Sequence, residues 1–327
     1  MEKINLWMTK RLFFQGLGFS YFMMVVLTVA VQFLLSLLVS LIAPQAAGLP
    51  VTSWLLAMVP LYLVAIPVCA KMMQALPNMQ LYRNEMRPGQ WIRTLCICIF
   101  VMYVGNIIGN AVSALIAQGT GLDLSFELEE LLSQGSPWFT LLFSVVLAPV
   151  MEELIFRKVL IDRTIVYGDK AAVVLSGLLF GVFHGNFHQF FYAFGLGCIF
   201  AYVYIRTGKL KYTISLHMAV NMLGGFLSSL LLQQLNYSAW DTSDPYAYID
   251  MMFNHAGAVL GLVIPEISMI IMGIAGLIFF AVSVKKLEWR SGEYERPFHE
   301  MAGAMFGNPG MILFLLSGVC LFVLDML

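Results

Sequence analysis

Nine stretches of the chain are apolar over lengths that suit membrane crossing: residues 20–43, 53–75, 93–117, 137–163, 171–187, 188–205, 212–232, 256–284 and 310–327. A hydrocarbon core of about 30 Å takes about 20 mostly apolar helical residues. The pattern therefore predicts an all-α, polytopic transmembrane helix bundle of eight or nine spans. The count turns on 171–205, where Gly185 and Asn186 are the only break and each half is short. Pro60, Pro67 and Pro149 fall inside apolar runs and should kink them, because proline supplies no amide hydrogen to the helix ladder.

The basic residues between the runs set the orientation. With the N-terminus on the cytoplasmic side, the inner segments are 1–19, 71–93, 157–170, 206–211 and 285–309, and they hold all 18 Lys and Arg residues. The outer loops 44–52, 118–136 and 233–255 hold none, while carrying Asp123, Glu127, Glu129, Glu130, Asp241, Asp244 and Asp250. Positive charge accumulates inside, so this split fixes the topology and supports two spans within 171–205. The rule fits a bacterial plasma membrane and an endoplasmic reticulum equally; the reading is a multi-pass cell-membrane protein.

Composition agrees: 60% of residues are hydrophobic, 11% are charged and the mean hydropathy is +0.83. An average soluble domain carries about a quarter charged residues. A net charge of −1 gives no global attraction to nucleic acid, so the expected partners are membrane lipid and a membrane-associated protein or peptide. Cys69, Cys96, Cys98, Cys198 and Cys320 all lie in apolar stretches without a CxxC pair and read as buried small hydrophobes. The basic start is followed by apolar sequence to Ala43 without an early cleavage site, which reads as a first span. No soluble domain or internal repeat interrupts an organisation of N-terminal helices (1–136), a polar-motif core (137–232) and C-terminal helices (233–327).

Ionisable groups inside a membrane are costly and mark function by default. Three clusters qualify. In Pro149-Val150-Met151-Glu152-Glu153-Leu154-Ile155-Phe156-Arg157, Glu153 and Arg157 are four apart and share a helix face. Glu152 projects about 100° away and stays free, as a general base requires. His184 ends a wholly apolar stretch and is followed by Asn186, His188 and Gln189. His217 and Asn221 are again four apart and could together hold a water, a metal or an oxyanion. Helical rise puts Glu152 about 16 Å from Arg163, His184 about 20 Å from Ala171 and His217 about 9 Å from Lys211, depths compatible with one site.

The ordered set Glu-Glu-x-x-x-Arg, Phe-x-x-x-His and His-x-x-x-Asn resembles the CPBP (Abi) family of intramembrane proteases, which includes the type II CAAX prenyl endopeptidases. The likeness covers about residues 137–232 and includes Ala148-Pro149, Phe156-Arg157, His184-Gly185-Asn186 and Gln189 as in the bacterial branch. The resemblance implies that Glu152 activates the attacking water, supported by Glu153 with its charge held by Arg157. It implies that His184 positions that water, and that His217 with Asn221 stabilises the oxyanion. Lys158 departs from the pattern, and no motif outside the core constrains substrate entry. Glu152, His184 and His217 would suit zinc or another divalent metal with an open position; the same residues with Asn221 would also work without metal.

Other protease motifs fail. His299-Glu300 lacks the second histidine of HExxH because residue 303 is Gly, and Gly18-Phe19-Ser20 is followed by Tyr21 in place of the rhomboid glycine. From a different class, a secondary transporter would also place Glu, His and Asn at midplane. Pro265-Glu266 and the glycine pairs 105/109 and 257/261 suit it, although a capping acid and close helix packing explain them better. A non-catalytic scaffold or immunity protein is the third alternative.

Overall fold

A computed structural model describes residues 2–121, 136–227, 230, 246 and 256–326. The acidic residues expected in the second and third outer loops lie outside the described residues. Among the described residues the chain is a helix bundle. Its main helices are α1 (Glu2–Ile42), α2 (Pro50–Met73), α3 (Pro88–Thr120), α4 (Pro137–Tyr167), α5 (Asp169–Phe183), α6 (Phe187–Thr207), α7 (Leu210–Asn221, continued by a wide turn over Met222–Phe226), α8 (Ala256–Val284), α9 (Phe298–Phe306) and α10 (Pro309–Leu324).

Six of these are long and apolar enough to cross a membrane: α1, α2, α3, α4, α6 and α8. The pair α9 and α10, bent by 72° at their junction, makes a seventh if taken as one span. Among the described residues that is fewer than the apolar runs suggest, because 171–187 forms a shorter helix and 212–232 lies partly outside the described residues. α5 has 15 residues, about 22 Å, and so stops short of a 30 Å core. It stops because Gly185 turns the backbone left-handed at φ +69°, and Asn186 then caps α6 by accepting the Gln189 amide. The same turn leaves His184 at depth. α1 begins well before its apolar run, carrying Lys10 into the bundle, where Nζ donates to the Tyr294 carbonyl at 3.2 Å.

The basic segments meet at one end of the bundle. Arg206 and the Arg290 amide both bond the Asp169 carboxylate at 3.0 Å, and Asn84 bonds the Arg206 carbonyl. Hydrogen bonds from Lys209, then Tyr212 and Lys211, hold the Glu85 carboxyl down at about 2. This is the end of a multi-pass membrane protein at which the positive-inside rule predicts the cytoplasmic face. Above it, one core joins α1, α2, α4, α5 and α10 around Tyr21, Phe156, Phe180 and Phe314, and a second joins α3, α6 and α7 around Leu95, Phe200 and Leu216. Cys69, Cys96 and Cys98 are buried as expected, Cys198 is half-buried and Cys320 is exposed on α10.

Gly105 and Gly109 let α3 close on α6: a side chain at either would overlap the backbone of Tyr192 or the Phe187 carbonyl. Close packing thus accounts for this pair, whereas Gly257 faces open space. Replacing Gly105 by Val should destabilise the protein by about 1–3 kcal/mol through overpacking, read as a lower thermal midpoint in detergent. Gly119→Ala, with nothing near its Cβ, should not lower the midpoint.

Candidate active site

α4 carries the two glutamates between two wide turns. It is π-helical over Thr140–Leu147 and Leu154–Val159, with α-helical Ala148–Glu153 between. Such turns recur at functional sites, where one extra residue re-aims side chains and frees carbonyls. In the wide register the Ala148 amide bonds the Phe143 carbonyl, and the next amide in line belongs to Pro149, so the Ser144 carbonyl has no donor in its own helix. Asn221 of α7 supplies one, Nδ2 donating to Ser144 O at 2.9 Å. The side chain expected beside His217 therefore also ties α7 to the glutamate helix.

Glu153 and Arg157 are both 0% exposed. Arg157 Nη2 donates to Glu153 Oε1 at 3.1 Å, and Nε lies 3.0 Å from Oε2 as an ion-pair contact without hydrogen-bond geometry. Nη1 donates to Ser176 Oγ at 3.0 Å, and that hydroxyl donates to the Phe156 carbonyl at 2.8 Å. The guanidinium also lies 4.6 Å from the ring centre of Phe180 and 5.6 Å from that of Phe200. The α4 pairing expected from spacing is present, embedded in aromatic rings.

The same carboxylate holds His217. Its Nδ1 is 3.0 Å from Glu153 Oε1, and its Nε2 is 3.8 Å from Glu152 Oε2. A carboxylate only accepts, so this contact puts a hydrogen on Nδ1 and turns Nε2 toward Glu152. Phe180 and Phe200 pack against the imidazole at 5.7 and 5.3 Å and fix its plane. His184 is held similarly: Nδ1 lies 2.7 Å from the Phe180 carbonyl, which leaves Nε2 as the ring's free position, and Phe180 packs edge-on at 4.8 Å.

Glu152, His184, His217, Asn221 and Ser144 line one cavity of about 1190 Å³. Its wall continues through Tyr192, Gln189, His188, Asn110, Asn106 and Glu266. His188 sits in the first turn of α6, with Nδ1 2.8 Å from Asn110 Oδ1 of α3. Glu266 lies inside α8, beside Pro265. Lys158 pairs with Asp162 at 2.8 Å. Tyr62 of α2, which nothing in the sequence pattern singles out, also lines the cavity.

The donor set does not fit a metal as it stands. Among the described residues no three His, Cys, Asp or Glu side chains are grouped to hold an ion.

Comparison with known proteins falls on this same segment. Residues 134–223 match the family model described as type II CAAX prenyl endopeptidase Rce1-like. The membrane-embedded CAAX protease MroQ of Staphylococcus aureus (strain USA300) is 32% identical over 104 residues, which is 30% of this chain and 40% of that protein. The chain thus matches well under half of that relative's length, and no solved structure matches it. Over the segment that builds the cavity's acidic wall, the resemblance carried by the three motifs holds: this chain is similar to the Rce1-like type II CAAX prenyl endopeptidases.

Proposed function

We propose that this protein is an intramembrane endopeptidase that hydrolyses a peptide bond of a membrane-associated protein or peptide, with Glu152 as general base. The observation that carries the reading is a single cavity wall on which Glu152, His184 and His217 meet, backed by a fully buried Glu153–Arg157 pair. The family match and the relative's printed name support a membrane protease.

In this reading a water sits between the Glu152 carboxylate and the Nε2 lone pair of His184. Both are acceptors, so they take its two hydrogens and leave an oxygen lone pair for the scissile carbonyl carbon. As the C–O bond forms, Glu152 takes the proton, and it later delivers it to the leaving amine as the C–N bond breaks. Because His217 gives its Nδ1–H to Glu153, Nε2 can donate only as imidazolium. The neighbouring Glu153 carboxylate stabilises that cation, and Arg157 balances the second negative charge. The Nε2–H, together with the Asn221 amide hydrogen not spent on Ser144, then receives the oxyanion. No step passes through a metal.

The test uses purified full-length protein in lipid nanodiscs with two substrates, a farnesylated CAAX peptide and the same peptide unmodified. Cleavage of either, persisting in excess chelator, is the expected result. Loss in chelator with recovery on adding zinc would overturn the metal-free chemistry. Absence of cleavage across a membrane-peptide library would overturn the protease reading in favour of transport or scaffolding. The ratio of rates on the two peptides reports whether a prenyl group is used.

A further inference from the structure

We infer that Gln189, in the first turn of α6, is a substrate-binding residue that gives a side-chain amide hydrogen to a backbone carbonyl of the bound peptide beside the scissile bond; this rests on the protease reading. Asn186 and Gln189 stand out in the sequence as polar residues between apolar runs, and the hydrolytic steps use neither. Asn186 is 6% exposed and engaged at both ends of its amide. Its Oδ1 accepts the Gln189 backbone N–H at 2.8 Å, and its Nδ2 donates to the His184 carbonyl at 3.0 Å and to Gln189 Oε1 at 2.9 Å.

These contacts decide which way the Gln189 amide points. A carboxamide can be turned either way, so its partners set the direction. A backbone N–H only donates, which makes the Asn186 atom facing it the oxygen and the other the nitrogen; the His184 carbonyl, which only accepts, agrees. The Gln189 atom that meets this nitrogen is then Oε1, and Nε2 with its two hydrogens is the arm left to the cavity that Gln189 lines. Asn186 bridges Gln189 to His184, so the donor stands no more than two hydrogen bonds from the backbone of the histidine that holds the water. The connecting Gly185 is fixed in its left-handed turn against Leu321 of α10. A peptide drawn into the cavity loses water from its carbonyls, and each one left without a donor weakens binding. His217 and Asn221 serve the oxyanion, so the carbonyl that Gln189 serves is a neighbouring one.

The test measures affinity, using full-length Glu152→Gln protein in lipid nanodiscs and the same two CAAX peptides, each also made with one backbone carbonyl at a time replaced by a thiocarbonyl, a weaker acceptor. Gln189→Met keeps the chain length and removes both arms of the amide. Added to the Glu152→Gln protein, it should raise Kd about 3- to 10-fold, the worth of one hydrogen bond. In the Glu152→Gln protein one thiocarbonyl position should weaken binding, and with Gln189→Met that penalty should vanish, because the donor it depended on is gone. Gln189→Glu still accepts from Asn186 but has no amide hydrogens; it should behave as Gln189→Met and covers the case in which methionine disturbs the fold. Asn186→Asp should weaken binding too, since it still caps α6 while its second oxygen draws the Gln189 amide hydrogens away from the cavity. Unchanged affinity in both Gln189 variants, a thiocarbonyl penalty that persists in them, or unchanged affinity in Asn186→Asp would each overturn the role. Peptide that binds but is never cleaved by the wild-type protein would instead overturn the protease reading, and the binding comparison separates the two failures.

Discussion

Glu152→Gln should lower kcat by about 10²- to 10⁴-fold while leaving the protein folded, the range contributed by a positioned general base. The amide is isosteric with the carboxylate, so packing around the cavity survives. What is lost is the ability to take a proton from water. KM should change little, because the substitution leaves the shape of the cavity intact and removes an interaction that strengthens only as the water is deprotonated. The control is Glu153→Gln, whose loss would follow a different course. That residue faces Arg157 and His217 and not the water, so its removal should weaken the oxyanion donor and also lower the thermal midpoint. Steady-state kinetics and a thermal melt on both variants distinguish the two carboxylates. Wild-type turnover in Glu152→Gln would remove this residue from the chemistry. A large midpoint loss in Glu152→Gln, matching that of Glu153→Gln, would mean that both glutamates are structural.

Much of this arrangement is visible in the chain itself, for identifiable reasons. Apolar runs are long-range signals that average over many residues, and helical spacing is rigid, so the pairing of Glu153 with Arg157 follows from positions four apart. His184 is conspicuous because a polar break follows an uninterrupted apolar helix, and the same break, through Gly185 and Asn186, makes α5 too short to span. Contacts between distant segments escape such reasoning. The Glu153–His217 bond joins residues 64 apart, and nothing local to either announces the other. Asn221 illustrates a subtler limit: its spacing from His217 suggested a partner in oxyanion binding, whereas its bond to Ser144 depends on a carbonyl that Pro149 and a wide turn leave without a donor. Tyr62 is one aromatic residue in an apolar span, a position at which tyrosine ordinarily packs, and only the tertiary fold brings it into the cavity wall that Glu152 shares. The helical extension of α1 before residue 20 was hidden because Lys10 and Arg11 read as a loop boundary; the lysine is instead accommodated by a backbone carbonyl from the segment preceding α9.

The largest effect on stability is expected from Arg157→Met. A buried ion pair is weak evidence of net stabilisation, because desolvating two charges offsets most of their attraction, but removing one partner leaves the other stranded. Here the stranded group would be the fully buried Glu153, deprived of both guanidinium contacts and left with His217. Ser176 would lose its donor as well, and Phe180 and Phe200 their cation. Cost from the stranded charge alone is about 3–5 kcal/mol, enough to unfold a marginal protein. Lysine should not rescue it, since a single ammonium cannot serve both oxygens of Glu153 and reach Ser176 together. The decisive comparison is the double variant Glu153→Gln with Arg157→Met, measured as the thermal midpoint in detergent. If the damage in Arg157→Met comes from an uncompensated charge, neutralising Glu153 should restore part of the lost stability while activity stays low, because His217 has then lost the carboxylate that stabilises its imidazolium. A double variant no more stable than Arg157→Met would place the cost in the lost aromatic and Ser176 contacts instead. The pair would then be a packing element of the bundle and not the electrostatic support of His217.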